Sequence, residues 1–535
     1  MARLQPGIVF MDTAHTPTAT AWCRVFYQHI AFPGEAAATG SSRARHWLAL
    51  GLLSIACMLP GLRMPLFEPD ETRYAQIPRE MMAANDWAIP RLDGEPYFDK
   101  PPMLYWLVAA TYQALGQEPW LARLVPSGAM LAIVLLTYGF GQANVGTQPA
   151  WRAALGLAIA PGIAGMGRLL LMDGLLSLWI LLAQGTLFLA AQSERWRTGW
   201  WLLAAMAAAA GIMTKGPICL ILVLVPWSLH CWLSNQAGFG WRAWTGWWAV
   251  VVGLTLPWHV IVTLRDGTFL HHYLWEHHVL RFLQPFDHVR GTFFYVPIVL
   301  LALFPLSLLL PFTGSFLLST RESDRSARTS ALGYWFWCAA VCLVFFSLSG
   351  CKLPTYILPS LAPLALVLGA QSTTLSTGMV RLAFFVALPL SLIGHGIALP
   401  WYASARDPLA CSAAWKLVDD AVANGTTRIV CYPRPCHAAS LRLNRNDIPS
   451  FRSKDFDAFR ADLMSRSRTI VLCTHRHSLE GLKQLLPANC RIISEASCDL
   501  PEQNWLPSAW RKKANQYLGE TALGLCDAAI IEYRP

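Results

Sequence analysis

Residues 169–191 read Leu169-Leu170-Leu171-Met172-Asp173-Gly174-Leu175-Leu176-Ser177-Leu178-Trp179-Ile180-Leu181-Leu182-Ala183-Gln184-Gly185-Thr186-Leu187-Phe188-Leu189-Ala190-Ala191, with Asp173 the single charge among them. As a helix this run is roughly 35 Å long, against about 30 Å of bilayer hydrocarbon. It reads as a membrane span, and it is one of a series. Leu121–Gly141, Ala331–Ser349 and Phe384–Trp401 have the same character. Over its 535 residues the chain is 54% hydrophobic and 14% charged, and its mean hydropathy is positive; a soluble protein carries about a quarter charged residues. After residue 404 charges return and apolar runs shrink to strand or short-helix length.

The expected architecture follows. It is a polytopic α-helical membrane protein with about 11–13 transmembrane helices over residues 46–403, then a soluble domain over 404–535. In the tail, Arg428-Ile429-Val430-Cys431-Tyr432 and Thr469-Ile470-Val471-Leu472-Cys473 alternate with helical segments, which predicts a small α/β domain with helices covering a sheet. Residues 1–45 contain no apolar core followed by a small-residue cleavage site. Arg43 and Arg45 precede the first span, so this poorly ordered segment is expected in the cytoplasm. The net charge of +10 belongs with cytoplasmic loops and lipid headgroups, and nothing resembles a nucleic-acid module. Seven of the fourteen cysteines follow residue 404. They can form disulfides only if the tail lies outside, and Cys431 and Cys436 are not at zinc-finger spacing.

Twelve apolar stretches can be counted. Twelve crossings would place the basic loops 194–197 and 321–328 outside, against the positive-inside rule. The stretch 102–116 is too short to span and carries the interface aromatics Tyr105, Trp106 and Tyr112. If it lies in the membrane surface, the parity after it flips and both basic loops become cytoplasmic. Asp70, Asp173, His271–His278, Lys352 and the C-terminal domain then share the outer face. Lys215 also falls outside on this count, against the charge rule.

The polar residues concentrate in a first outer loop, 66–101. It contains Phe67-Glu68-Pro69-Asp70-Glu71-Thr72-Arg73-Tyr74-Ala75 and, later, Tyr97-Phe98-Asp99-Lys100-Pro101-Pro102. Asp70 can cap a helix starting at Glu71, and a solvated amphipathic helix is the ordinary reading. Asp173 is either a helix-terminus partner or a functional intramembrane acid. The histidine run 271–278 either hydrogen-bonds headgroups or holds a metal. Lys352 and Tyr356 either anchor the bilayer edge or contact a ligand.

The two loop motifs and their spacing resemble bacterial GT-C glycosyltransferases, namely the lipid A aminoarabinose transferases within the protein O-mannosyltransferase-like superfamily. The resemblance runs from about Leu50 to Pro400. It includes Thr214-Lys215-Gly216, Glu276-His277-His278-Val279-Leu280-Arg281-Phe282 and Lys352-Leu353-Pro354-Thr355-Tyr356-Ile357-Leu358-Pro359. It implies transfer of a sugar, 4-amino-4-deoxy-L-arabinose, from undecaprenyl phosphate to a lipid A phosphate or other envelope glycolipid. The setting would be the periplasmic face of the bacterial inner membrane, among membrane lipids and without nucleic acid.

The resemblance further implies Asp70, Asp173 and Glu71 at the catalytic centre. Arg73, Lys100, Tyr97, Tyr356 and Lys352 would lie at the donor phosphate. Asp99 and His278 would hold a divalent metal such as zinc. Asp99 has a shorter arm than the family's usual Glu, and His277 stands where relatives tend to have Glu. The chemistry is consistent with this set, because a lipid phosphate gaining charge as it leaves needs cations around it: a planar fork from Arg73 and a point charge from Lys100. Another polyprenyl-phosphate-sugar transferase is the nearest alternative. A flippase is further off, since no repeat relates the two halves.

Overall fold

A computed structural model describes residues 40–193, 197–234, 238–271, 273, 275, 280, 288–373, 377–404, 407, 409, 412–473, 478–496 and 527–534. The first of these regions, up to residue 404, is a helical bundle. Among the described residues six helices are long and apolar enough to cross a membrane: Pro119–Asn144, Met172–Gln192, Trp241–Arg265, Ser330–Leu348, Pro354–Ser372 and Gly378–Ser404. A seventh is obtained if Thr292–Ala302 and Leu306–Leu318, bent by 118° at their junction, count as one span. Gly40–Met58, Arg197–Lys215 and Ile218–Leu233 are further apolar helices of 19, 19 and 16 residues.

Among the described residues the long spans and these further helices do not map one to one onto the twelve apolar stretches, and the reason is visible in particular elements. The stretch 150–166 divides at Ala160 into Thr147–Ile159 and Pro161–Met166. Every residue from Ala150 to Ile159 is buried, so this stretch is apolar because it lies inside the bundle. The stretch 293–318 bends around Pro305, where a proline ring cannot continue a helix. The stretch 102–116 folds as Met103–Leu115, thirteen residues or about 20 Å, with Tyr105 and Tyr112 turned inward.

Small residues bring these helices together. A Cβ at Gly369 would lie 2.5 Å from the Pro149 carbonyl oxygen and 2.8 Å from the Ala153 methyl, so the helices 354–372 and 147–159 touch backbone to backbone. Arg152 donates to the Ser372 carbonyl at 2.6 Å across the same contact. Arg168, almost fully buried, donates to the carbonyls of Met58 (3.0 Å) and Cys57, and so satisfies the last turn of Gly40–Met58.

Among the described residues the C-terminal domain has four strands, β3 Ile429–Tyr432, β4 Arg468–Cys473, β5 Cys490–Ala496 and β6 Asp527–Tyr533, in the order β3-β4-β6-β5. β3 and β4 are parallel, and β6 is antiparallel to both β4 and β5. Alternation splits the sheet into two faces. Ile429, Cys431, Ile470 and Leu472 pack under Trp415 and Val418 of the helix Ser412–Ala423. Val430, Tyr432, Val471 and Cys473 pack under Phe459, Leu463 and Leu482. The expected small α/β domain is present, with helices on both faces. Among the described cysteines Cys431, Cys436, Cys473 and Cys490 are buried thiols.

A two-stranded hairpin, β1 Arg91–Leu92 and β2 Glu95–Pro96, lies between the loop helix Asp70–Ala84 and the helix Met103–Leu115. It turns the chain back so that residues 97–100 return to the start of the loop helix.

Candidate active site

The loop helix begins at Asp70 itself. Pro69 is its N-cap, and no side chain caps it, so Asp70 is not the capping residue the sequence suggested. Consecutive helical residues point about 100° apart, and the two acids of this first turn go opposite ways. The Asp70 side chain is 57% exposed and stands 3.7 Å from Nη2 of Arg73. Glu71 is buried. Its carboxylate accepts from Nε (2.8 Å) and Nη2 (2.7 Å) of Arg123 and from the backbone N–H groups of Phe67 (2.9 Å) and Leu170 (2.6 Å). Arg123 also donates to the carbonyls of Leu62 (2.9 Å), Met64 and Pro65 (2.8 Å). Glu71, expected at the catalytic centre, is instead the centre of a buried knot joining three chain segments.

Arg73 Nη1 donates to the Tyr97 hydroxyl at 3.0 Å, a contact the hairpin makes possible. The same hydroxyl lies beside the Asp99 carboxylate, and Lys100 Nζ donates to the Asp99 carbonyl at 2.8 Å. Burial pushes the Tyr97 and Tyr74 phenols up, so both stay protonated donors at neutral pH. The Nε of Arg73 is buried without a hydrogen-bond partner among the described residues.

Asp173 lies in the first turn of Met172–Gln192, whose N-cap is Leu171. One carboxylate oxygen accepts from Lys215 Nζ at 2.5 Å and the other from Thr355 Oγ1 at 3.0 Å. Lys215 Nζ also sits 4.4 Å from the centre of the Tyr356 ring, a cation–π contact. The helix-terminus reading of Asp173 thus gives way to a cluster formed by three distant segments. Buried Tyr74 feels the charges of Asp70, Arg73 and Asp173 together, which places the two carboxylates in one neighbourhood.

Lys352 is placed differently from the expectation. It is buried, and its ammonium donates to the carbonyls of Ser349 and Arg290 (3.1 Å). Its N–H bonds the His288 carbonyl at 3.1 Å. It pins the 288–290 segment rather than offering charge to a ligand. His278 lies outside the described residues. Among the described residues no three His, Cys, Asp or Glu side chains converge as a metal site would require.

Sequence reasoning left Lys215 without a role and passed over Thr355. The signal was their presence in the motifs Thr214-Lys215-Gly216 and Lys352–Pro359.

Comparison with known proteins points the same way. Residues 65–284 match the family model of dolichyl-phosphate-mannose-protein mannosyltransferases. The chain is 34% identical over 344 residues to an undecaprenyl phosphate-alpha-4-amino-4-deoxy-L-arabinose arabinosyl transferase of Pseudomonas fluorescens, covering 62% of this chain and 58% of that protein. It is 33% identical over 339 residues to the transferase of that name in Pseudomonas aeruginosa, covering 61% and 60%. The matches thus span less than two thirds of these relatives' own lengths. The fold is that of ArnT from Cupriavidus metallidurans, solved bound to undecaprenyl phosphate (TM-score 0.69, 19% identity, 85% of this chain and 97% of that one). It extends to the Archaeoglobus fulgidus oligosaccharyltransferase AglB at a TM-score of 0.50 and 13% identity, over 82% and 70%. Sequence likeness and fold agree: over about three fifths of its length the chain is similar to the aminoarabinose transferases, and it has the fold of the solved ArnT.

Proposed function

We propose that the protein transfers 4-amino-4-deoxy-L-arabinose from undecaprenyl phosphate to a lipid A phosphate, at the periplasmic face of the bacterial inner membrane. The observation that carries this reading is the guanidinium of Arg73. It is held by Tyr97 and Asp70 and keeps one buried N–H without an acceptor. A buried unsatisfied donor is costly, and a phosphate oxygen is the acceptor that suits it.

As the glycosidic C–O bond breaks, negative charge builds on the departing lipid phosphate. Arg73 and Lys100 stabilise that charge without having to reorganise. A lipid A phosphate is already anionic at neutral pH and needs no strong base. Asp70, exposed beside Arg73, therefore serves to orient the sugar and to pair with its amino group. Asp173 is fixed on both oxygens by Lys215 and Thr355, and Tyr356 presents its ring face to the same ammonium. This second cluster lies in the same neighbourhood as the first, both acting on Tyr74.

In the same proposal Asp99 and His278 would hold a divalent ion, which would supply positive charge near the phosphate. Metal analysis of purified protein tests that part, with about one equivalent expected and its loss in Asp99→Ala.

The deciding experiment offers undecaprenyl phosphate-aminoarabinose and lipid A to protein purified in lipid and follows the mass of lipid A. The expected mass shift disappears in Asp70→Asn and Lys100→Ala. No shift with the wild-type protein refutes the substrate assignment, and a shift indifferent to both substitutions refutes the site.

A further inference from the structure

The C-terminal domain does not merely follow the membrane domain. Its helix His437–Leu443 lies on the loop helix Asp70–Ala84, and the contacts are specific. The Ala438 N–H donates to Glu68 Oε1 at 2.5 Å. Ser440 Oγ donates to Asp93 Oδ1 at 2.9 Å, and His437 Nδ1 stands 3.1 Å from Asp93 Oδ2, an ion-pair distance without a hydrogen bond's alignment. Arg79 donates to the Leu441 carbonyl at 3.1 Å and to Asn444 Oδ1. Gln76 donates to the Arg445 carbonyl at 3.1 Å. On the loop side, Glu80 gathers the N–H groups of Asp93 (2.9 Å) and Gly94 (3.0 Å), so the hairpin and the loop helix move as one piece.

The points of attachment bracket the phosphate grip. Glu68 is two residues before Asp70 and five before Arg73, and Asp93 is four residues before Tyr97. Among the described residues the polar contacts of this helix go to Glu68, Asp93 and Arg79 rather than to Asp70, Arg73 or Tyr97. We propose that this domain is a positioning clamp, with Glu68 and Asp93 the positioning residues through which it fixes Asp70, Arg73 and Tyr97 for transfer. The proposal rests on the site assigned above. Its size follows from how steeply reaction rates depend on geometry, since a displacement of about 1 Å can cost roughly 100-fold. Glu68 acts as an acceptor here: Oε1 takes the Ala438 N–H, and the Thr72 hydroxyl lies beside the same carboxyl. Burial raises its carboxyl above the usual range, which makes glutamine a close stand-in.

The test is carried out on the full chain in lipid. Amide exchange over residues 70–84 is read alongside kcat and the donor KM. Glu68→Ala and Asp93→Ala are expected to speed exchange in that segment about tenfold and to lower kcat about 10- to 100-fold, with a smaller change in KM. Glu68→Gln is expected to stay within about threefold of wild type in both readings. Ser440→Ala, remote from the substrate, is expected to move both in the same direction by less. Unchanged exchange in the alanine variants overturns the clamp. So does a Glu68→Gln enzyme as impaired as Glu68→Ala, which would put Glu68 in the chemistry. Exchange needs no substrate, so the clamp is decided even if the wild-type protein proves inactive on aminoarabinose.

Discussion

Replacing Glu71 by glutamine asks whether the acid beside Asp70 takes part in the reaction or holds the fold. Its side chain is 2% exposed and that of Arg123 is fully buried, so solvent screens the pair little. Glutamine keeps the shape but removes the charge, and it presents an N–H₂ to donors that need an acceptor. Breaking one partner of a buried ion pair costs about 3–5 kcal/mol. At roughly 2 °C per kcal/mol for a large domain, the midpoint of thermal unfolding in detergent should fall by about 6–10 °C. Transfer per folded molecule, measured well below that midpoint, should stay within about tenfold of wild type, the residual loss reflecting a looser loop. A variant that unfolds at the wild-type temperature yet loses transfer more than 100-fold would refute the reasoning and return Glu71 to the reaction centre.

Three further expectations concern neighbouring residues. Lys215→Ala leaves Asp173 with Thr355 alone and should lower kcat about 100-fold, as loss of a fixed electrostatic group does; initial rates at saturating donor report it. Lys352→Met strands the buried Ser349 carbonyl at about 1–3 kcal/mol and releases the exposed Arg290 segment, and should lower the unfolding midpoint while leaving the rate per folded molecule close to wild type. Glu68 has a folded-state carboxyl raised by burial from its ordinary 4.5. Its contribution to stability is therefore complete below pH 4.5 and is lost as pH rises through the raised value. The midpoint of Glu68→Gln, scanned against pH, should gain on wild type across that window; parallel curves would refute this.

Much of the membrane architecture was legible because apolar length is a one-dimensional property. Apolar runs do not say whether a stretch faces lipid or protein, so neither the burial of the helix 147–159 nor the bend at Pro305 could be read from them. Within the site, Asp70 and Arg73 are three residues apart on one helix, and their pairing is local. Tyr97 joins them only because a hairpin reverses the chain. The link from Asp173 to Lys215 crosses 42 residues and that from Asp173 to Thr355 crosses 182, distances over which periodicity carries no information. Asp70 and Glu71 are alike in the sequence; only the rotation of the helix against Arg123 tells them apart. Lys352 shows the converse, a motif lysine whose donors are taken up by backbone carbonyls.

The clamp also has a consequence in time. Glu68 and Ala438 are separated by 370 residues, and Gln76 and Arg445 by 369. At about 5–20 residues per second of synthesis, the loop waits roughly 20–70 s before its partner helix exists. During that interval a nascent chain already carries Asp70, Arg73 and Lys100 in its first loop without the helix that clamps it. On the proposed clamp, the loop is seated only once the helix His437–Leu443 has been made. A chain cut short before that helix would therefore leave a bundle slowed by about the same 10- to 100-fold rather than a transferase at full rate.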